Sequence, residues 1–370
     1  MPDAVCLVRF LAGLTDPRDR RGRRFPLTAL VAAAAAGVLA GARPLAAIAE
    51  WTADAPPWAL RALGFTVDPF TRSVAVPHAT TVMRLLGRLD GDAFDNVICA
   101  FLQARAHSRQ SGESRRWRAV AVDGKQLRGS RAGGGKAVWL LAAMDHAGTV
   151  IAQRQIDAKS NETPAFIPLL DGLPLENTVV TADAAHTQHA NGQWLRNHGA
   201  HYIAVVKGNH PGLLKLPWHD IGLDHKDRTR GRGRLEVRHL KTVAFRHLDY
   251  PGARQALRVM RWRMDLTSKK ITIERLYFVT SLPPGAATGE QIAGWIRGHW
   301  KIENQLHHVR DTTFAEDAST TRTGSLPRVM ASLRNLAISV FRQEDHTDIA
   351  AACRHTARDP QRPLTALGVR

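Results

Sequence analysis

Apolar positions recur first at helical spacing, then at strand spacing, then at helical spacing again. Val5 to Leu14 is an apolar opening. Leu27 to Ala42 follows as an Ala-rich, uncharged run that predicts a helix buried on all sides. Basic residues before it imitate a secretory leader, but the run starts too late for one. It is also too short to span a membrane, which takes about 20 apolar residues, and Arg43-Pro44 ends it. Pro44 to Trp51, Thr80 to Leu89 and Asp92 to Ala106 carry further helical patterns, with breaks at Pro56-Pro57 and Val76-Pro77. The polar run HSRQSGESRR closes a helical N-terminal domain, either a DNA reader or a dimerisation module.

From Trp117 the period changes. Trp117 to Asp123, Ala137 to Asp145 and Thr149 to Asp157 predict three short strands. Thr163 to Leu170 predicts a short helix, Thr178 to Asp183 a fourth strand, Gln188 to His198 a helix and His201 to Val206 a fifth strand. That order predicts an α/β fold, a mixed sheet with helices on its faces and ligands where the strands end. SRAGGGK, between the first two strands, fails as a phosphate loop: Ser130 stands where a Gly is needed and Ala137 where Ser or Thr is needed. His210 to Ala287 alternates again and predicts a β-rich insertion. Arg230, Arg232, Arg234, Arg238, Arg261 and Arg263 fall along it, either to meet DNA or to keep strand edges apart.

The stretch with the most chemistry is Ile296 to Asp317, IRGHWKIENQLHHVRDTTFAED. On a regular helix His299, Glu303, His307 and Arg310 share one face, while Trp300, Ile302, Leu306 and Val309 supply apolar contacts around the rest. A carboxylate covered in this way costs several kcal/mol unless a cation or hydrogen bonds compensate. The alternative is a solvated helix with chance pairs. Two strands, RAVAVD and TVVTAD, each deliver an Asp at the C-terminal end, Asp123 and Asp183. With Glu303 they form a set of hard oxygen donors suited to Mg2+ or Mn2+. They are far apart in the chain, so folding has to assemble the site.

Composition supports a polyanionic partner. Lys and Arg number 51 against 33 Asp and Glu, a formal net charge of +18 that favours nucleic acid over an acidic membrane. At 370 residues two or three domains are expected. Cys6, Cys99 and Cys353 have no metal-ligand spacing and fit reduced thiols of a cytosolic protein. Arg18, Arg20, Arg21, Arg23 and Arg24 crowd one segment that either grips phosphates or is a solvated loop. The pairs His186 with His189 and His307 with His308 have no obvious third ligand for zinc.

VDGKQLRGS around Asp123, KSNETPAFIPLL, TADAAHTQ around Asp183, HYIAVVKGNHP and HWKIENQLHHVRDTTFAED together resemble the DDE transposases of bacterial insertion sequences, in the H-repeat-associated branch. DPRDRRGRRFPL, VPHATTVMRLLGRLD and PRVMASLRNLAI extend the resemblance over essentially the whole chain. It implies a ribonuclease-H-like core with Asp123, Asp183 and Glu303 as catalytic, metal-binding residues around two Mg2+ or Mn2+ ions, Asp123 bridging them. It also implies water and then a DNA 3′-hydroxyl as nucleophile, double-stranded DNA as partner, a homodimer or larger assembly, and a place in the bacterial cytoplasm on the nucleoid. The implied layout is a helical domain over 1–114, the core over 115–209 and 288–345, the insertion over 210–287 and a tail over 346–370.

Similar enzymes carry a Tyr seven residues before the Glu, an Arg four before and a Lys or Arg seven after; here these are Ile296, His299 and Arg310. Arg310 is expected on a phosphate near the scissile bond, with His299 as a weaker substitute. Lys125, Arg128, Lys207, Arg232, Arg234, Arg20, Arg21, Arg23 and Arg24 complete the expected DNA contacts, although Lys125 and Arg128 could instead neutralise the acidic cluster. Arg232 replaces a usual His, and His210 a usual Gln. Asp311, Glu316 and Asp317 are expected to cap or to pair with Arg322 and Arg328. Two other functions stay open: a DNA-binding remnant that has lost catalysis, and a nuclease without strand transfer.

Overall fold

The computed structural model describes residues 5–109, 117–131, 135–156, 162–207, 215–231, 233–245 and 250–369. Most of the polar run before Trp117, Gly133 and Gly134 of SRAGGGK, His210 and Arg232 lie outside them. In chain order the helices and strands are α1 (Leu7–Leu11), α2 (Leu27–Leu39), α3 (Leu45–Asp54), α4 (Pro57–Ala62), α5 (Ala79–Leu86), α6 (Gly91–Arg109), β1 (Arg118–Leu127), β2 (Val138–Asp145), β3 (Val150–Ile156), α7 (Phe166–Leu170), β4 (Thr178–Ala182), α8 (His189–Asn197) and β5 (His201–Val206). There follow β6 (His225–Gly231), β7 (Arg234–Ala244), β8 (Gln255–Asp265), β9 (Ile271–Thr280), α9 (Gly289–Lys301), α10 (His308–Thr312), α11 (Leu326–Gln343), α12 (Ile349–Thr356) and α13 (Gln361–Ala366). The fold is mixed α/β, and the strand order is β3-β2-β1-β4-β5-β9-β8-β7-β6.

The chain divides into two compact units. The first comprises residues 1–113, 124–161 and 303–370. Its centre is α11, of which only the last two residues escape burial, and α2, buried at every position but Thr28. An uncharged Ala-rich helix can be covered all round without orphaned polar groups, which is why α2 sits where it does. α11 instead carries Arg328, Ser332, Arg334, Asn335 and Ser339 into the core, so each needs a partner. Arg328 Nε donates to Asp95 Oδ2 at 2.7 Å and its Nη2 to Asp92 Oδ1 at 2.6 Å. Gln153 Nε2 donates to Asp95 Oδ1 and to Ser332 Oγ, both at 2.9 Å, while Asn335 Nδ2 donates to Gln153 Oε1 at 2.6 Å. Ser339 Oγ accepts from Val150 N at 3.1 Å. This ladder joins α6, β3 and α11 in one register.

The second unit comprises residues 114–123 and 162–302. β1 and β4 pair in parallel from Arg118↔Thr178 to Val122↔Ala182, and β4 and β5 in parallel from Val179↔His201 to Ala182↔Ala204. β9 pairs antiparallel with β5, and β8, β7 and β6 add in turn, so the alternating region before α9 extends this sheet. α9 begins on a capping box: the Thr288 hydroxyl accepts from Gln291 N, and the Gln291 side chain accepts from Thr288 N. Its Ile292 and Ile296 pack with Val179, Ile203 and Phe278.

Asp95 is 1% exposed, and burial pushes its carboxyl up to about 6 against the pull of Arg328 and the Ser332 and Gln153 donors. It is therefore still ionised at neutral pH, with Arg328 as its counter-charge. Removing one partner of such a pair strands the other in the core, at a cost of roughly 3 kcal/mol. Asp95→Ala should destabilise the protein by about that amount in chemical denaturation; Asp54→Ala, on the exposed end of α3, should change it by less than about 0.5 kcal/mol.

Candidate active site

Side chains alternate across a strand, so residues 179, 181 and 183 face one way. Val179 packs under α9, and Thr181 Oγ1 lies 3.3 Å from His299 Nδ1 of the same helix. Asp183 follows at the strand end on that face. Asp123 stands beside it, each one residue past the last paired positions Val122 and Ala182. Neighbouring strands are about 4.8 Å apart, so the two carboxylates are neighbours by construction. His299 registers both: burial lowers its basicity from the usual histidine value, while the charges of Asp123 and Asp183 pull the other way. Burial prevails, so the ring is neutral at pH 7; the Thr181 hydroxyl donates to Val120 O, so Nδ1 carries the proton toward Thr181 and the expected phosphate contact of His299 is corrected.

The loop after Asp183 is tied down strand by strand. Asp183 Oδ1 accepts from Ala185 N at 3.0 Å, Thr187 Oγ1 donates to Val205 O at 2.7 Å and Asn191 Nδ2 to His186 O at 3.0 Å. Tyr250 OH reaches Gln188 O at 3.0 Å, an approach that requires Gly192, since a Cβ there would stand 2.7 Å from the Tyr250 ring. Lys207, exposed, follows β5 at the same end of the parallel strands.

Glu303 belongs to the first unit, and its side chain is exposed. The regular helix expected across this stretch is not what forms. After Lys301 the chain makes a π-helical turn, Ile302–His307, before α10. Such turns gather at functional sites, and this one changes the phase of every later side chain. Glu303 is exposed, His307 is 6% exposed and Arg310 is fully buried, so the expected single polar face is corrected. The same geometry removes Arg310 from the DNA contacts. Its Nε donates to Glu316 Oε1 and Oε2 at 2.9 and 3.0 Å, and Arg334 Nη1 donates to Glu316 Oε2 at 2.9 Å.

Other expectations shift with their surroundings. Lys125 is 10% exposed and donates to Asp311 Oδ2 at 2.7 Å, with Asp317 Oδ1 at 3.8 Å, so it neutralises acids instead of facing solvent. Arg128 lies 3.6 Å from Asp317 but stays 75% exposed. Asp311, Glu316 and Asp317 thus pair with Lys125, Arg128, Arg310 and Arg334, and the expected Arg322 and Arg328 pairings are corrected. In the strand-rich region Arg234, Arg238 and Arg263 converge on Glu236, and Arg261 on Glu274, so four cations meet two carboxylates and only part of that charge is compensated internally. Arg230 is exposed, with no ion pair among the described residues. Arg23 folds back on Asp16 and on the carbonyl oxygens of Asp16 and Arg18, whereas Arg20, Arg21 and Arg24 are exposed.

Among the described residues no three His, Cys, Asp or Glu side chains form a metal cage, and no helix is long and apolar enough to cross a membrane. His186 is buried and His189 exposed, which separates that histidine pair. The two aspartates nonetheless suit Mg2+, which commonly takes one or two carboxylates, keeps waters and completes its shell with substrate phosphate.

Two acids on adjacent parallel strands, where their shared ladder stops and beside His299 of α9, are the candidate site. The family model for the transposase DDE domain matches residues 116–340, and a DDE_Tnp_1-associated model matches residues 8–102. The chain belongs to the DDE transposase family. It is 27% identical over 288 residues to a protein named "Putative transposase YncI" from Escherichia coli O157:H7, covering 72% of this chain and 71% of that one. It is 26% identical over 245 residues to "H repeat-associated putative transposase YhhI" from Escherichia coli K12, covering 60% of this chain and 63% of the relative.

Glu316 gives a pH test of the corrected role. Burial alone would raise its carboxyl, but Arg310 and Arg334 outweigh it and hold it below the ordinary value of 4.5. A lowered folded value means the stabilisation is complete above the ordinary value and is lost as pH falls through the folded one. Glu316→Gln should cost roughly 3 kcal/mol at pH 7 and flatten the loss of stability below pH 4.5, read by denaturation at several pH values.

Proposed function

We propose that the chain is a divalent-metal-dependent DNA transposase with an RNase H-like core, which cuts at the ends of its own element and joins the freed 3′-hydroxyl strands to target DNA. The observation that carries this is the placement of Asp123, within β1, and Asp183, just past β4, each one residue beyond the last pair of the parallel ladder. In this reading Asp123, Asp183 and Glu303 hold two Mg2+ or Mn2+ ions. When bound, such ions activate the attacking oxygen and stabilise the leaving oxygen of an in-line displacement.

The chain's own residues do the positioning. The parallel pairing of β1, β4 and β5 fixes the two aspartates, and α9 delivers Glu303 through the π-helical turn. His299, held neutral beside the two aspartates, donates from Nδ1 to Thr181 and orients that side chain. Lys207 gives positive charge at the same end of the parallel strands, while Arg20, Arg21, Arg24, Arg128 and Arg230 supply exposed cations for DNA elsewhere on the chain. No side-chain nucleophile is required: Cys99 and Cys353 are buried, and burial pushes the Cys353 thiol up to about 12. The protein works as a homodimer or larger assembly on double-stranded DNA at the nucleoid.

A second reading is a DNA-binding remnant without catalysis. It is favoured by one specific pair of observations: of the two cations that similar enzymes place around the Glu, one is the neutral His299 and the other is the buried Arg310.

A cleavage assay on a DNA end bearing the element's terminal repeat decides between them. The wild type should nick and join DNA in Mg2+, and Asp123→Asn or Asp183→Asn should lose at least about a hundredfold, the scale of several kcal/mol of lost charge stabilisation. A wild type that binds the end without cutting it supports the remnant. Cutting without joined products to a supplied target plasmid supports a plain nuclease.

A further inference from the structure

The segment Glu162 to Leu170, the latter part of the KSNETPAFIPLL motif, has no part in the account so far, yet it packs on the turn that follows Asp183. Thr163 Oγ1 reaches Ala185 O at 3.4 Å, and the Phe166 ring lies against that of His186 with centroids 5.1 Å apart and planes at 32°. His186 is central to the arrangement. Its side chain is 1% exposed, and neither ring nitrogen makes a hydrogen bond among the described residues. A buried imidazole without partners is costly, so its surroundings should account for its place. Nε2 stands 3.5 Å from Glu162 Oε2 and 4.0 Å from Asp183 Oδ1, between two carboxylates. His186 therefore approaches Asp183 from the face of the sheet opposite to α9, which holds His299.

We propose that His186 is a positioning residue for Asp183: braced by Phe166 and Glu162, it sets where the Asp183 carboxylate stands at the end of β4, and through it the site's affinity for divalent cations. The proposal rests on the reading of Asp183 as a cation ligand. One N–H at Nε2 can serve either carboxylate or be shared between them. Asp183 keeps its other oxygen clear of this contact, because the same Oδ1 accepts from Ala185 N. Glu162, 24% exposed, is the remote end of the relay. The motif thus works as a brace on a catalytic acid, which explains why a stretch with no ligand of its own accompanies the acidic motifs.

The test is Mn2+ binding to the full-length protein, followed by electron paramagnetic resonance, in five forms: wild type, Asp183→Asn, His186→Phe, His186→Gln and Glu162→Gln. Phe keeps the buried ring and its packing but removes the N–H; Gln returns an N–H near the Nε2 position. Partners of ligating groups are worth about 10–100-fold in metal affinity. His186→Phe should weaken Mn2+ binding about tenfold or more, Glu162→Gln should weaken it less, and His186→Gln should recover most of the loss, with thermal midpoints close to wild type. If Asp183→Asn loses the metal while His186→Phe and Glu162→Gln bind like wild type, the proposal is overturned and the site stands. If the wild type binds no Mn2+, or Asp183→Asn binds as tightly as wild type, the ligand assignment fails and this proposal with it. Should His186→Phe not fold, the partly exposed Glu162→Gln decides alone.

Discussion

Asp123 and Asp183 follow the last rung of the ladder between two neighbouring parallel strands, so two like charges sit side by side and the backbone does not let them part. At roughly 5 Å the repulsion is on the order of 1 to 3 kcal/mol, depending on how much water screens it. Hydrogen bonding of β1 to β4 and of β4 to β5 imposes that proximity, so the fold holds two like charges together in advance of any ligand. A protein can tolerate this where solvent reaches one of them, as it does at the half-exposed Asp183. Charges held in place by the backbone are the general form of electrostatic preorganisation, which supports the proposal of a cation site at this end of the sheet.

The rest of the molecule can be understood as support for that end of the sheet. α9 covers one face with Ile292 and Ile296 and lays His299 beside the acids. On the other face Phe166 and His186 brace the turn that leaves β4. In the first unit, the polar ladder on α11 serves a different purpose. Hydrophobic packing alone would let a long helix slide or rotate, whereas Arg328 on Asp95 and Asn335 on Gln153 accept only one register.

Much of this was legible in the sequence, for physical reasons that differ from element to element. RAVAVD and TVVTAD declare strands because buried parallel strands are short apolar runs; β4 stops before Asp183 as expected, whereas β1 runs past Asp123 to Leu127. The Ala-rich α2 was legible because nothing in it can face water at a profit. The stretch around Glu303 was misread beyond that residue, because periodicity assumes a uniform 3.6-residue turn and one wide turn breaks it. Arg310 consequently looked like a phosphate ligand and is instead the buried counter-ion of Glu316. The partners of Lys125 and the role of His186 were illegible for a further reason: Lys125 meets Asp311, and His186 meets Glu162, across chain separations that no local pattern encodes.

The central claim is that Asp123, Asp183 and Glu303 share cations. The most direct measurement replaces Mg2+ with Fe2+ in the protein bound to DNA, adds ascorbate, and maps where locally generated hydroxyl radicals cut the polypeptide. The account predicts cuts clustered in three segments, around residues 123, 183 and 303, all suppressed by excess Mg2+. Cuts near 123 and 183 with none near 303, or cuts with no relation to these positions, would contradict it.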